Sequence, residues 1–143
     1  MADAVASQTI FDGEHTAIMK FTNTSDGTGE TNVVKVNPAL LNPSASGCAC
    51  NKVSITKITA LTDGMEVQLK WKATTPVIIE TVPQNNNYTQ DYSNFGGLTN
   101  NAGTGVDGAI TFTTLNAASG DTYSVVLEMI KYYVNPYQTQ ANP

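Results

Sequence analysis

The clearest alternation of apolar and polar residues in this chain runs from Met65 to Lys72. Four apolar side chains occupy every second position and four polar ones fill the gaps; the apolar set is Met65, Val67, Leu69 and Trp71. A period of two predicts a strand with one face in a core, which contains Trp71, and the other face in water. The preceding Asp63-Gly64 pair lies between two alternating runs and predicts a hairpin turn.

Similar but less regular patterns predict further strands along the chain. In the run from Lys52 to Leu61 the apolar phase slips near Thr56 and Lys57, which predicts a β-bulge or a strand buried on both faces. Prolines on both sides of the run at 77–82 favour a position at the edge of a sheet or the start of a strand. The predicted strands besides 65–72 cover 11–24, 30–36, 52–61, 77–82, 109–115 and 122–134.

These strands, with turn residues between them and no helical periodicity, predict an all-β protein. We expect a β-sandwich of about seven or eight antiparallel strands, of jelly-roll or immunoglobulin-like type. A single sandwich domain at 10–134 is predicted between two polar arms without periodicity, at 1–9 and 135–143. Residues 84–108 are rich in Asn and Gly and predict a long loop, and loops of this length tend to be functional or disordered.

The composition narrows the possible partners. Thr and Asn make up nearly a quarter of the 143 residues, charged residues only 13%, and the net charge is −5 without a single arginine. This balance argues against nucleic acid as the main partner. No apolar run approaches the roughly 20 residues of a membrane span, and residues 1–15 lack a secretory signal pattern. A face with few charges loses its water at low cost, which favours contact with another protein, although a merely soluble β-domain fits equally well.

Few residues in the sequence suit catalysis or metal binding. Cys48 and Cys50 have no second pair to complete a tetrahedral zinc site, and we expect two reduced thiols, with metal shared between copies as the alternative. His15 is the only histidine, and a catalytic triad needs converging partners. Carboxylates that could serve glycoside hydrolysis are better explained as solvated or turn-forming groups; they are Glu66, Glu80, Asp91, Asp107 and Glu128. We therefore expect no enzyme activity, no metal and no cofactor.

Aromatic residues in the 84–108 loop are the more promising candidates. Exposed loop aromatics often anchor protein interfaces, but local packing within the loop and a stacking platform for sugar remain open. Polar residues of the two arms extend the candidate surface. The candidate protein-interface residues are Gln8, Phe11, Tyr88, Asp91, Tyr92, Phe95, Tyr137, Gln138 and Gln140.

Several segments resemble a family of small virion structural proteins of tailed bacteriophages, of the capsid decoration or cement type. The segments together cover most of the chain from Ala17 to Glu128, while the terminal arms lie outside them. The resemblance implies a β-sandwich on the outside of the head and carries no catalytic residues. The matching segments are Ala17–Glu30, Gly64–Trp71, Asn94–Gly105 and Gly120–Glu128.

The resemblance implies a decoration protein that stabilises the head shell by bridging capsid subunits. Its partners would be the major capsid protein and other copies of itself, as a homodimer or homotrimer. It would assemble in the host cytoplasm, which suits unpaired thiols, and reside on the outer capsid surface of the virion. Weak contacts repeated over many copies give large total stabilisation. The alternatives are a tail or fibre module that recognises a host surface glycan, and a head-completion or tail component.

Overall fold

Nine β-strands and two short 3-10 turns form the regular structure of the described part of the chain. The structure is a computed structural model that describes residues 4–43, 45, 47–85, 87–95, 97–99 and 108–133. The 3-10 turns are Pro38–Leu40 and Ser93–Phe95. The strands are β1 (Ala4–Asp12), β2 (Thr16–Asp26), β3 (Val33–Val36), β4 (Cys50–Asp63), β5 (Glu66–Trp71), β6 (Val77–Val82), β7 (Asn87–Asp91), β8 (Ile110–Leu115) and β9 (Ser119–Tyr133).

The strands form two packed sheets, which confirms the prediction of an all-β sandwich. The five-stranded sheet has the order β1-β2-β9-β4-β7, the four-stranded sheet has the order β3-β8-β5-β6, and every neighbouring pair is antiparallel. The pairs β2–β9, β3–β8, β4–β7 and β5–β6 are nested inside one another along the chain. Strands β2 to β9 therefore form one long ribbon rolled across both sheets, which is the pairing of a jelly roll rather than of an immunoglobulin-like sandwich.

The core lies between the two sheets and is built from alternate residues of the strands that face each other. The buried face of β5 is the predicted one, with Val67, Leu69 and Trp71 inside. Phe112 on β8 packs edge-on against Phe21 of β2, with ring centroids 5.2 Å apart. Such aromatic contacts add to the free energy gained from apolar burial. The remaining large, fully buried side chains are Ile55, Ile58, Met65, Ile110, Leu127, Met129, Val36 and Val53.

Two local features predicted from the sequence are confirmed. The pairing of β4 with β9 shifts register between Ile55 and Lys57, where the apolar phase of the sequence slips. This is the predicted β-bulge. Strand β6, which lies between Pro76 and Pro83, occupies an edge of the four-stranded sheet. Proline is compatible with that position because an edge strand needs ladder partners on one side only.

The Asp63-Gly64 pair does not form the predicted hairpin. Strand β4 ends at Asp63 in the five-stranded sheet, and β5 begins at Glu66 in the four-stranded sheet, so the turn carries the chain from one sheet to the other. Gly64 has a φ of +88°, and a Cβ atom placed there would meet the carboxylate of Asp121. Glycine is therefore favoured at this corner, chiefly by its left-handed backbone.

Two strands were not predicted from the sequence. Residues 4–9, predicted as part of an arm, belong to β1, and the predicted strand 11–24 is interrupted by a turn at residues 13–15. The predicted loop 84–108 contains β7 and the turn Ser93–Phe95. The described residues of β1 and β7 are mostly exposed. Because neither strand buries one face in the core, their sequences show no alternation of apolar and polar residues. The predicted C-terminal arm at 135–143 lies outside the described residues.

A buried ion pair lies towards one end of the sandwich, where β2 ends and β9 begins. The Lys35 ammonium donates to the Glu30 carboxylate at 2.5 Å, and both side chains are almost fully covered. The same carboxylate accepts from the Tyr123 hydroxyl at 2.6 Å and from the Asn23 amide at 3.1 Å. These bonds compensate Glu30 for the water it loses on burial. They also join a loop residue to both β2 and β9.

Candidate protein-interaction surface

Strand β1 is exposed along most of its length. It lies at one edge of the five-stranded sheet, beyond β2. Every side chain from Val5 to Phe11 is exposed, including Phe11, of which 53% is accessible. No residue between Ala4 and Phe11 carries a charge. The strand thus presents uncharged side chains on both of its faces, including the candidate residues Gln8 and Phe11.

The only strand that pairs with β1 among the described residues is β2. Their register runs without a shift from Ala4 opposite Thr24 to Thr9 opposite Met19, and a bulge follows between Thr9 and Phe11. One edge of β1 therefore has no strand partner within the described chain. Alternate residues of an edge strand direct their backbone N–H and C=O groups away from the sheet, where another strand can bind them.

The Asp12 end of β1 is fastened to the body by a second buried ion pair. The Lys131 side chain on β9 has no exposed surface, and its ammonium donates to the Asp12 carboxylate at 2.5 Å. It also donates to the carbonyl oxygens of Gly13 and Asn42, both at 2.9 Å. Burial alone would lower the pKa of Lys131, but its interactions with Asp12 and Tyr133 outweigh burial and raise that pKa.

Neighbouring hydrogen bonds attach the loop after the first 3-10 turn to the same end of β1. The Asn42 N–H donates to the Asp12 carboxylate at 2.8 Å. The Ala45 N–H donates to the Glu14 carboxylate at 2.9 Å, and the Tyr133 hydroxyl donates to the Glu14 carbonyl at 2.5 Å. The turn between β1 and β2 is therefore held by groups from β9 and from the loop. Strand β1 is anchored at this end and exposed along its length.

The candidate residues near β7 lie at the opposite edge of the same sheet. Asp91 is exposed, and it accepts bonds from the Ser93 hydroxyl and backbone N–H at 2.6 Å and 2.8 Å. Both bonds lower the pKa of the Asp91 carboxyl, and the bond from the Ser93 hydroxyl has the larger effect. The backbones of Tyr88 and Phe95 lie in β7 and in the following 3-10 turn, and their side chains fall outside the description. Within the described chain, Asp91 stabilises the turn that follows β7, and its exposed carboxylate stays a candidate for a protein interface.

Tyr92 packs within the protein and is not available as an exposed interface residue in the isolated chain. Its side chain is 9% exposed and belongs to the core cluster. Its hydroxyl donates to the Glu80 carboxylate at 2.8 Å, which joins the end of β7 to β6 in the other sheet. Of the three interpretations of the loop aromatics, local packing is the one that applies to Tyr92. Its covered ring is unsuited to stacking against a sugar.

We expect Tyr92→Phe to lower the free energy of unfolding by about 1 kcal/mol, because it removes one hydrogen bond and keeps the packed ring. Urea unfolding of both proteins measures the difference. Glu80→Gln in the Tyr92→Phe background should add little, since the carboxylate has already lost this partner. An unchanged unfolding midpoint in Tyr92→Phe would show that the bond between β6 and β7 does not stabilise the fold.

The candidate residues therefore do not form one site. Gln8 and Phe11 lie on β1, and Asp91 lies on β7, with three strands between them. Four strand spacings separate the two edges by about 19 Å. Tyr137, Gln138 and Gln140 lie outside the described residues. The structure assigns the described candidates to two separate edges of one sheet.

The outer face of the five-stranded sheet was not singled out from the sequence. One row across it is formed by Gln8, Lys20, Val126, Thr59 and Thr89, each opposite the next in register. A shallow depression of about 340 Å³ lies on this sheet. Several of the residues that line it are Thr or Ser, which contribute hydroxyl groups. Only the register could have revealed this row, because its members come from five separate strands. The residues around the depression are Thr22, Asn23, Thr24, Leu61, Thr62, Asp63, Thr122, Tyr123 and Ser124.

The residues suspected of metal or redox chemistry are not assembled into a reactive site in the described chain. No group of three or more His, Cys, Asp and Glu residues there is placed to hold a metal ion. Cys50 is buried, forms no disulfide, and has a pKa raised by that burial, so its thiol stays protonated. His15 is exposed in the turn after β1, where its carbonyl accepts a backbone bond from Lys131.

Among the described residues, no helix has the length and apolar character needed to cross a membrane. Comparison with models of known protein families and with curated protein sequences finds no match to the chain.

Proposed function

We propose that this chain is a structural protein of a bacteriophage virion that decorates the outside of the head and stabilises the shell by bridging capsid subunits. It acts by binding protein and not by catalysis. The observation that carries the proposal is β1, a strand added to a complete jelly roll, whose residues from Val5 to Phe11 are uncharged and exposed on both faces. Segments that resemble small phage virion proteins, given above, supply the biological setting.

The fold supports the proposal by analogy. Jelly rolls occur in viral capsid domains and also in lectins and cupins, so the architecture permits this role without selecting it. The close-packed core of aliphatic and aromatic side chains and the two buried ion pairs favour a rigid body. A rigid body loses little conformational freedom when it binds, which leaves more of the contact energy for affinity.

The surface supports it more directly. A protein contact on β1 would cover Val5, Ile10 and Phe11, whose side chains are each about half exposed in the isolated chain. Covering apolar surface is favourable in free energy, and the run from Val5 to Phe11 has no charge that must be stripped of water. The partners under this proposal are the major capsid protein and further copies of the chain, on the outer capsid surface of the virion.

Removing residues 1–8 is expected to weaken binding to isolated heads by about tenfold or more, which corresponds to about 1.4 kcal/mol or more. The fold should survive, because the described side chains removed are exposed. Co-sedimentation of purified chain with heads that lack it measures binding, and urea unfolding checks the fold. A deletion of residues 138–143 tests the second arm in the same assay. Unchanged occupancy with both deletions would contradict a role for the arms.

The location is tested on intact particles. Cryo-EM of the virion and quantitative gel densitometry against the major capsid protein give position and copy number. Hundreds of copies spread over the shell are expected for a decoration protein. A few copies at one vertex or along the tail would overturn the proposal in favour of a head-completion or tail role.

A further inference from the structure

The described sandwich has four edge strands, and three of them carry features that discourage pairing with another strand. Strand β3 has only four residues, with a bulge between Val34 and Val36. Strand β6 lies between Pro76 and Pro83, and its pairing with β5 shifts register. Strand β7 has only five residues. Short length, bulges and flanking proline all protect edges from uncontrolled association.

Strand β1 has almost none of this protection. It is nine residues long, and six consecutive residues from Ala4 to Thr9 pair with β2 without a register shift. No residue from Ala4 to Phe11 is charged, and the strand contains no proline. Its bulge lies near the anchored end, after Thr9. An exposed, regular and uncharged edge of this length is a template for another strand.

We propose that β1 of one copy pairs antiparallel with β1 of a second copy about a two-fold axis. The two five-stranded sheets then join into one continuous sheet of ten strands. The inference deepens the proposed function by stating how two copies of the chain contact each other. It rests on that function because it takes the chain to act through protein contacts. It adds the surface, the strand direction and the symmetry of the contact.

The sequence of β1 fits a second copy because a two-fold contact places the residues at its axis opposite their own equivalents, while residues further along pair with those on the other side of the axis. Any charge near the axis would therefore face the same charge, and like charges directly opposite are destabilising. The uncharged run from Ala4 to Phe11 avoids this repulsion although the chain as a whole has a net charge of −5. Exposed apolar groups of both copies, Val5, Ile10 and Phe11, would lie beside the paired strand and lose part of their contact with water.

The contact is small, because it depends on one strand from each copy. Stable protein interfaces bury on the order of 800 Å² per partner, and a single pair of strands is at the low end. We therefore expect reversible association with a dissociation constant on the order of micromolar. Concentration then decides whether monomer or dimer dominates, and a crowded surface favours the dimer.

The test is sedimentation-velocity analysis of the full chain from about 1 μM to about 200 μM. The disrupting variant is Ser7→Lys with Thr9→Lys, which places two positive charges on one face of β1. The matched control is Asn87→Lys with Thr89→Lys, which adds the same charges at the same spacing on β7, the other edge of the sheet. All four positions are exposed, so urea unfolding midpoints should stay close to that of the unaltered chain.

We expect the unaltered chain and the β7 variant to shift from monomer to dimer over this range, and the β1 variant to dissociate at least tenfold more readily. A chain that stays monomeric throughout would overturn the inference, as would a β1 variant that dimerises normally. If both variants lose association, the contact joins β1 to β7 of the next copy, and symmetric pairing is wrong. The copy number measured by cryo-EM tests the proposed function separately from dimerisation. If the chain is monomeric in solution but covers the shell, only this inference is contradicted. If the chain dimerises but is absent from the shell, only the proposed function is contradicted.

Discussion

Replacing Lys131 with methionine is expected to lower the free energy of unfolding by roughly 3 to 5 kcal/mol. The Lys131 side chain is completely covered, and its ammonium serves the Asp12 carboxylate and the carbonyls of Gly13 and Asn42. Methionine fills similar space but donates no hydrogen bond. The substitution therefore leaves a largely covered carboxylate and two carbonyls without this donor, and the loss is greater than that of a surface lysine.

Urea unfolding followed by tryptophan fluorescence measures this difference. Lys70→Met is the matched control, because Lys70 lies on the outer side of β5 and alternates there with buried residues. We expect that control to change stability by less than about 0.5 kcal/mol. If Lys131→Met and Lys70→Met lowered the free energy of unfolding equally, the ammonium group of Lys131 would contribute no stability through its ion pair.

The same ion pair also predicts a dependence on pH. The pKa of Lys131 is raised in the folded protein above its ordinary value of 10.5, since interactions with Asp12 and Tyr133 outweigh the opposing effect of burial. A raised pKa contributes stability that is complete below pH 10.5 and is lost as the pH rises through the folded value. The stability gap between the unaltered chain and Lys131→Met should therefore narrow above that pH. A constant gap from pH 8 to pH 11.5 would contradict this assignment.

Glu30→Gln is the second substitution with a large expected effect, again roughly 3 to 5 kcal/mol. It removes the charge that balances the Lys35 ammonium, and both side chains are almost fully covered. The amide also supplies one acceptor oxygen where the carboxylate has two. Tyr123 and Asn23 use one of those oxygens and Lys35 uses the other, so the three donors can no longer all be served.

A double-mutant cycle isolates the ion pair within this network. Combining Glu30→Gln with Lys35→Met removes both charges, and we expect the double variant to be at least 1 kcal/mol more stable than the sum of the single effects predicts. Glu66→Gln is the matched control for the chemistry, since Glu66 lies on the outer side of β5. Strict additivity of the two single effects would show that Glu30 and Lys35 do not stabilise one another.

How far the sequence predicts the fold depends on burial. Where one face of a strand enters the core, as in the run from Met65 to Trp71, the alternation is visible and the strand is placed correctly. Where neither face is buried, as in β1, nothing in the sequence separates a strand from an arm. The Asp63-Gly64 signal was misread because a glycine with positive φ serves a corner between sheets as well as a hairpin.

The candidate surface was predictable only in part, for a related reason. Gln8 lies within the predicted N-terminal arm and Phe11 lies just after it, and both are exposed on β1. Tyr92 was selected as a loop aromatic, but its hydroxyl bonds to Glu80 on a strand of the other sheet. Contacts between residues that are far apart in the chain leave no local pattern, and the ion pair of Asp12 with Lys131 is the extreme case.

The direction of β1 relative to β9 has a mechanical consequence. Both are antiparallel to β2, which lies between them, so β1 and β9 run in the same direction. Ala4 pairs with Thr24 at the level of Thr122, and Tyr133 lies eleven residues further along β9, about 36 Å away. A pull applied between Ala4 and Tyr133 would act along the strands. The hydrogen bonds of the β1–β2 and β2–β9 ladders would then bear the load together in shear, and would not open one at a time.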